Sequence, residues 1–283
     1  MNEIISKICE NVENLRKQSP LVHCITNTVT VNDCANSVLA IGASPIMANE
    51  PDEAEEMVTI VNSLLINIGT LNKAQIEAMK IASNTANKLE KSYVLDPVGI
   101  GVSNIRNQTA LHLIESKPTI IRGNLSEIKT LANLIGILDE CTQAKGVDVA
   151  DSDIINKQTL ESNAIIVKNI AKKLDTTIAV SGPIDIISDG NDVYAIENGH
   201  KMMSQITGSG CMLGCILAAY NAITDSFSAA VTGCVVLAIA GEIAAQTAKV
   251  NNKGTGTFRS ELIDELSKMD QQTVQDYIKI SKI

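Results

Sequence analysis

Short aliphatic runs alternating with longer helical patterns constrain this chain more than any other feature it carries. The pattern predicts strands at Leu21–Ile25, Pro45–Ala48, Leu64–Ile68, Tyr93–Leu95, Thr119–Ile121 and Thr177–Val180. Between them it predicts helices at about Val31–Ile41, Asp52–Val61, Lys73–Glu90, Arg106–Glu115, Ser126–Ile135 and Leu160–Leu174. Alternation of this kind builds βαβ units, and so a mostly parallel sheet with helices on both faces. Strands in such a sheet are buried on both sides and read as near-continuous apolar runs. The composition agrees. Hydrophobic residues make up 45% of the chain but aromatics only 2%, with no Trp and two Phe, so the core has to be aliphatic.

Past the sixth strand the pattern changes. Asp185–Ser188 and Asp192–Ile196, joined by Asp189-Gly190-Asn191, read as an antiparallel hairpin. Helices are expected at about Ser209–Asn221, Ser226–Lys249 and from Ser260 onward. A length of 283 residues suits one large α/β domain, and no Pro/Gly-rich linker, repeat or low-complexity segment divides it, so residues 1–283 are expected to form a single domain.

Several function classes fall away on charge and cysteine content. The net charge is −9 and no Lys/Arg cluster appears, which argues against a nucleic-acid partner. Cysteines number seven, with no Cys-x-x-Cys and no His at zinc spacing, so reduced cytoplasmic thiols are expected. The N-terminus reads as an amphipathic helix rather than a signal peptide. The most apolar run, Ala229 to Ala245, is interrupted by Thr232, Gly233 and Glu242 and reads as a buried helix, not a membrane span.

Polar or glycine-rich signatures follow the strands: Thr26-Asn27-Thr28, Asn49-Glu50-Pro51, Gly69-Thr70, Asp96-Pro97-Val98-Gly99, Arg122-Gly123-Asn124 and Ser181-Gly182-Pro183. Ligands of open α/β sheets bind beyond the carboxyl ends of the strands, so a site is expected there. The strongest constellation is Thr207-Gly208-Ser209-Gly210-Cys211-Met212-Leu213-Gly214, a glycine-rich turn opening a helix. Its free N–H groups and positive dipole end suit an anion, although a plain helix start or a dinucleotide fingerprint would look alike. No GxxxxGK[ST] loop is present. Cys211, at the helix start, is expected to have a depressed pKa and to serve as base or nucleophile, or else to be a small buried residue. Cys215, one turn on, is expected in the core. Asp96 suits a water-mediated Mg²⁺ ligand or a turn cap. Asn124 and Glu127 have the spacing of an N-cap and its capping-box partner, which is compatible with metal or phosphate work. His23, His112 and His200 lack a ligand-spaced partner, and Met47 reads as core filler.

Together, ITNTVTVND, GASPIMANEPDEAEE, LLINIGTL, VLDPVG, IIRGNLSEI, SGP and NGH followed by TGSGC, in this order from about Leu21 to Arg259, resemble the hydroxyethylthiazole kinases of the ribokinase-like superfamily. The resemblance implies a three-layer αβα sandwich with an antiparallel hairpin, and ATP-dependent, Mg²⁺-assisted phosphorylation of hydroxyethylthiazole in thiamin biosynthesis. It further implies ATP contacts at Arg122 and Ser181, completed by Asn124, and metal work at Asp96 and Glu127. Thiazole contacts are implied at Met47, Gly208, Asn27 and Gly69. Cys211 would face the substrate hydroxyl, with Ser209 and Gly210 supplying N–H groups to the moving phosphoryl. A homotrimer with shared pockets is implied too, with Val31–Ile41 and the Asn27 loop as the candidate wall. Alternatives are a hydroxymethylpyrimidine-type kinase of the same superfamily and a non-catalytic thiazole-binding sensor.

Overall fold

The computed structural model describes residues 2–139 and 155–283; Cys141 lies outside the described residues. Its centre is a nine-stranded sheet in the order β2-β1-β3-β4-β5-β6-β7-β8-β9. The strands are β1 (Leu21–Ile25), β2 (Ser44–Ile46), β3 (Ser63–Asn67), β4 (Tyr93–Asp96), β5 (Ile120–Asn124), β6 (Thr177–Ser181), β7 (Asp185–Ser188), β8 (Val193–Ile196) and β9 (Ile280–Lys282). Pairings from β2 through β6 are parallel, and those from β6 to β9 are antiparallel. The expected mostly parallel sheet with an antiparallel end is present.

The helices are α1 (Asn2–Gln18), α2 (Val31–Ile41), α3 (Pro51–Ile60), α4 (Lys73–Lys88), α5 (Asn104–Glu115), α6 (Leu125–Leu134), α7 (Leu160–Leu174), α8 (Ser209–Asn221), α9 (Ser226–Val250), α10 (Thr255–Lys268) and α11 (Gln271–Tyr277). Local chemistry sets several of their starts. The side chains of Asn72, Asp225 and Asp270 accept backbone N–H bonds at the first turns of α4, α9 and α11.

Alternation along each strand divides the interior in two. Leu65, Val94 and Ile120 join the apolar cluster made with α1, α2, α8, α9 and α10. Their neighbours Leu64, Ile66, Tyr93, Leu95 and Ile121 join the opposite cluster with α3 to α7. The sheet is therefore the middle layer of a three-layer sandwich.

Several sequence boundaries moved. Strands read as ending at Leu95 and Ile121 continue through Asp96 and Asn124, because β5 stays in register with β6 as far as Asn124 opposite Ser181. The edge strand read as Pro45–Ala48 is Ser44–Ile46. The tail read as helical from Ser260 onward begins its helix at Thr255, breaks at Asp270, and ends in β9 against β8. So short a strand exists only because an open edge is there to pair with it, which no local pattern announces.

Helix α9 is long and apolar enough to cross a membrane by length and composition, yet 83% of its most apolar window is buried inside the fold. Two of its three interruptions are explained by packing. Gly233 sits where a Cβ would lie 2.6 Å from Leu217 of α8, so its bareness permits the close helix contact. Thr232 accepts a 3.0 Å hydrogen bond from the Asn11 amide of α1 and donates to the Ser228 carbonyl, deep in the core. Replacing Thr232→Val leaves the Asn11 donor unpaired, with an expected cost of about 1–3 kcal/mol. The loss should appear as a lower unfolding midpoint in urea, and the double replacement Asn11→Leu with Thr232→Val should recover part of it.

Candidate active site

Side chains at the carboxyl ends of five neighbouring strands form one continuous hydrogen-bonded chain. It starts at Cys211, whose sulfur accepts a 3.1 Å bond from Asn27 Nδ2, just past β1. The same Asn27 amide donates to Asn67 Oδ1 at the end of β3, at 3.2 Å. Asn67 Nδ2 in turn donates to Asp96 Oδ2 at 2.7 Å, at the end of β4. Arg122 of β5 donates to both Asp96 oxygens at 3.2 Å, and its other terminal nitrogen donates to Ser181 Oγ of β6 at 2.8 Å. Asn67 and Asp96 are directly paired in register, so the parallel ladder itself sets this contact.

The ion pair at the centre is deeply buried, with Asp96 0% and Arg122 6% exposed. Burial pushes the Asp96 carboxyl up to about 6, with Glu127 adding to the rise and Arg122 opposing it. Arg122 loses hydration in the same place, but Asp96 and Glu127 outweigh that loss and hold the guanidinium charged. At neutral pH both partners are ionised. The Nε of Arg122 is buried without a hydrogen-bond partner.

Over this pair lies the glycine-rich turn. Gly208 caps α8 with φ +89, and its missing side chain leaves room for Thr30, which a Cβ would meet at 2.5 Å. At Gly210 a Cβ would come within 2.9 Å of both terminal nitrogens of Arg122, so the guanidinium packs directly beneath the turn. Met212 makes the first helical hydrogen bond, to the Gly208 carbonyl. The N–H groups of Ser209, Gly210 and Cys211 precede it, where a helix leaves its amides open to a ligand. The Ser209 hydroxyl donates to the Met203 carbonyl.

The depressed thiol pKa expected at Cys211 is not what the structure has. Burial raises it above the ordinary value, and the nearby Asp96 carboxylate raises it further. A helix N-terminus contributes about 0.3–1 kcal/mol toward an anion, which desolvation and a buried negative neighbour outweigh. Cys215 is fully buried in the core, as expected.

Asn124 and Glu127 form the capping box of α6, each side chain bonded to the other's backbone N–H. Glu127 does more than cap, since its Oε1 accepts the Gly99 N–H at 2.9 Å and so fastens the loop after β4. Gly69 donates its N–H to Asn67 and abuts Asn27, where a Cβ would lie 2.9 Å away. Met47 follows β2 and packs half-buried against the apolar layer that contains α8. His23 is buried within β1, its Nε2 2.8 Å from the Ala48 carbonyl.

Sequence reasoning missed three residues. Asn67 was hidden as the last residue of an apolar run, though a polar side chain there is itself a signal. Arg106 binds the carbonyls of Ile68, Gly69 and Val98 at 2.6–2.7 Å, tying the loop after β3 to the loop after β4. Asp185, at the start of β7, accepts the Gly182 N–H, and burial pushes its carboxyl up to about 7.

Beside the ion pair opens a cavity of about 530 Å³. Its lining is polar at Arg122, Ser181, Ser209 and Asn198 and apolar at Leu213, Leu237 and Ala238, and Gly199, His200 and Gly210 line it as well. A charged group beside apolar surface accommodates an organic phosphate of drug-like size.

The profile of the hydroxyethylthiazole kinase family matches residues 12–272. The chain is 64% identical to hydroxyethylthiazole kinase 1 of Methanosphaera stadtmanae, covering 99% of this chain and 98% of that one. It is 50% identical to a hydroxyethylthiazole kinase of Methanobrevibacter smithii, over 96% and 95% of the two chains. Among solved structures, the hydroxyethylthiazole kinase protein from Pyrococcus horikoshii OT3 superposes with a TM-score of 0.83 at 32% identity, over 98% of both chains. A pyridoxal kinase from Staphylococcus aureus, solved with ADP, shares the fold at a TM-score of 0.59 and 14% identity, over 79% of this chain and 88% of that one. By its matched length, its relatives and its ribokinase-like sandwich, the chain belongs to the hydroxyethylthiazole kinase family and is a phosphoryl-transferring enzyme.

Proposed function

We propose that this kinase transfers the γ-phosphoryl group of ATP to the primary hydroxyl of 4-methyl-5-(2-hydroxyethyl)thiazole, a step of thiamin biosynthesis, within a single cytoplasmic domain. The observation that carries the reading is the hydrogen-bonded chain from Cys211 to Ser181, which joins the turn of α8 to a phosphate-ready cavity. ATP would place its base against the apolar walls and its phosphates toward Arg122 and Ser181. The thiazole would sit across the turn, on the side of Asn27, Gly69, Gly208 and Met47. Val29 and Leu39, exposed at 64% and 57% beside and on α2, support a homotrimer in which a neighbour completes that side.

The residues fit a magnesium ion that arrives with ATP. Mg²⁺ keeps several waters and is held by one or two carboxylates plus substrate phosphates. Glu127 lies close enough to Asp96 for its charge to act on the Asp96 carboxyl, and no larger cluster of metal-binding side chains exists among the described residues. Asp96 is wholly enclosed, so its charge rather than a direct bond would act on the ion. When bound, the ion supplies neutralising charge to the phosphates.

The chain's own groups do the rest. Arg122, with an unpartnered Nε, offsets phosphate charge, and the N–H groups of Ser209, Gly210 and Cys211 hold the moving phosphoryl. A bond forms from the substrate oxygen to the γ-phosphorus, the bond to the β,γ-bridging oxygen breaks, ADP leaves, and the hydroxyl proton passes to an oxygen of the transferred phosphoryl group and from there to water. Phosphoryl transfer passes through a loose transition state with little prior need for a deprotonated nucleophile. A protonated Cys211 thiol therefore serves by orienting the hydroxyl.

Purified protein incubated with Mg-ATP and the thiazole alcohol should form ADP and thiazole phosphate in equal amounts, and no phosphorylated product would overturn the reading. Asp96→Asn should lower kcat by about 10²–10³-fold, the range set by losing preorganised charge at a transfer site. It should also destabilise the fold by about 3 kcal/mol, because Arg122 is left as a buried unpaired charge. Cys211→Ser should cost less than about tenfold in kcat, since general-base help at most contributes 10²–10⁴ and the thiol is protonated. Iodoacetamide labelling of Cys211, followed by mass spectrometry, should stay slow through neutral pH and accelerate only above the ordinary thiol value of 9.0, because the shift is upward.

A further inference from the structure

Glu242 is the third interruption of the apolar helix α9, and the phosphoryl-transfer chemistry makes no use of it. Its side chain is only 17% exposed. Oε1 accepts the Gly199 N–H at 3.1 Å, Oε2 accepts from Asn198 Nδ2 at 3.2 Å, and Lys279 Nζ donates to both oxygens at 2.8 and 3.0 Å. Asn198 completes the knot. Its Nδ2 also donates to the Tyr277 carbonyl at 2.8 Å, and its Oδ1 accepts the Lys279 N–H at 2.7 Å. Glu197 N–H donates to the Lys279 carbonyl at 2.9 Å, just before β9 pairs with β8.

Two groups of residues meet in this knot. Asn198, Gly199 and His200 line the 530 Å³ cavity. Glu242, Tyr277 and Lys279 do not line it, and come from the middle of α9 and from the C-terminal segment. The segment that carries Asn198, Gly199 and His200 is irregular backbone. Gly199 stands at φ +119, and the turn around it joins β8 to the short helix Lys201–Gln205, so it has no ladder of its own to hold it. Met203 of that short helix rests on Gly241, the residue before Glu242, where a Cβ would meet its sulfur at 2.6 Å.

We infer that Glu242, locked by the C-terminal Lys279, is a positioning residue for the nucleotide: it holds the Asn198-Gly199-His200 segment in the shape that receives ATP. The C-terminal strand then serves the nucleotide site without touching it. The chemistry demands a carboxylate, because the partners at Glu242 all donate: a side-chain amide, a backbone N–H and an ammonium. A glutamine of equal size would turn its own NH₂ toward one of those donors and lose a bond while gaining a repulsion. The inference rests on ATP occupying this cavity.

The test uses the full-length protein, with Mg-ATP binding measured by calorimetry and steady-state kinetics run with each substrate varied in turn. Glu242→Gln should weaken ATP binding and raise the KM for ATP by about tenfold, as expected for hydrogen bonds to a charged group. The KM for the thiazole alcohol should stay within about twofold, a split that a general loss of stability would not produce. Lys279→Met, at a half-exposed side chain where folding is safe, should raise the KM for ATP by about threefold in the same selective way. It decides the matter if Glu242→Gln fails to fold. Unchanged ATP affinity in Lys279→Met and in folded Glu242→Gln would overturn the inference alone, as would equal losses toward both substrates. Wild-type protein that binds no ATP would overturn the reading of the cavity, and the inference with it.

Discussion

A buried carboxylate and a buried guanidinium, Asp96 at the end of β4 and Arg122 within β5, meet side by side, and the site depends on their meeting. Removing either charge from water costs several kcal/mol, and their attraction offsets that cost only when remaining donors and acceptors are satisfied. Asn67 and Ser181 supply those bonds from the flanking strands. The pair thus needs four adjacent strands in one register, and that register is set elsewhere. Aliphatic packing on both faces of the sheet provides it, since slipping any strand by one residue would exchange its inner and outer faces. The ion pair is a consumer of stability, and the two apolar layers are its source. Its arrangement leaves the Arg122 Nε unpartnered and sets the two terminal nitrogens under a turn built to receive an anion.

Helix α9 shows how a core element can serve the site from a distance. Thr232 and Gly233 face α1 and α8 and answer to packing. Glu242, farther along the helix, answers to the turn at Gly199, which lines the cavity. Each breaks an apolar pattern to make specific contacts. The same helix that fills the space under the sheet therefore also fixes a wall of the cavity, and the chain's last strand is bound to it through Lys279.

Much of this was legible in residue order. Alternating strand and helix signals gave the layered sheet, and the polar signatures after each strand pointed to its carboxyl edge. The glycines at 208 and 210 marked a close backbone approach, and Asn124 with Glu127 spelled a capping box that is present. Cys211 was legible as a residue and misleading as an acid. A helix start speaks for a thiolate locally, whereas burial and Asp96, distant in sequence, speak against it and prevail. Asn67 and Arg106 escaped because each acts through a partner on another strand or loop.

What the sequence determined by itself was whatever depends on near neighbours along the chain: strand and helix periodicity, caps, the turn that opens α8, and the motifs in their order. What only the tertiary structure decided was whatever depends on juxtaposition. The side-chain chain from Cys211 to Ser181, the protonation of the thiol, the β9 strand and the Glu242 knot all join residues far apart in sequence. Their energies come from burial, and burial exists only once the layers have packed, because a charge or a donor acquires its cost and its partner at the same moment.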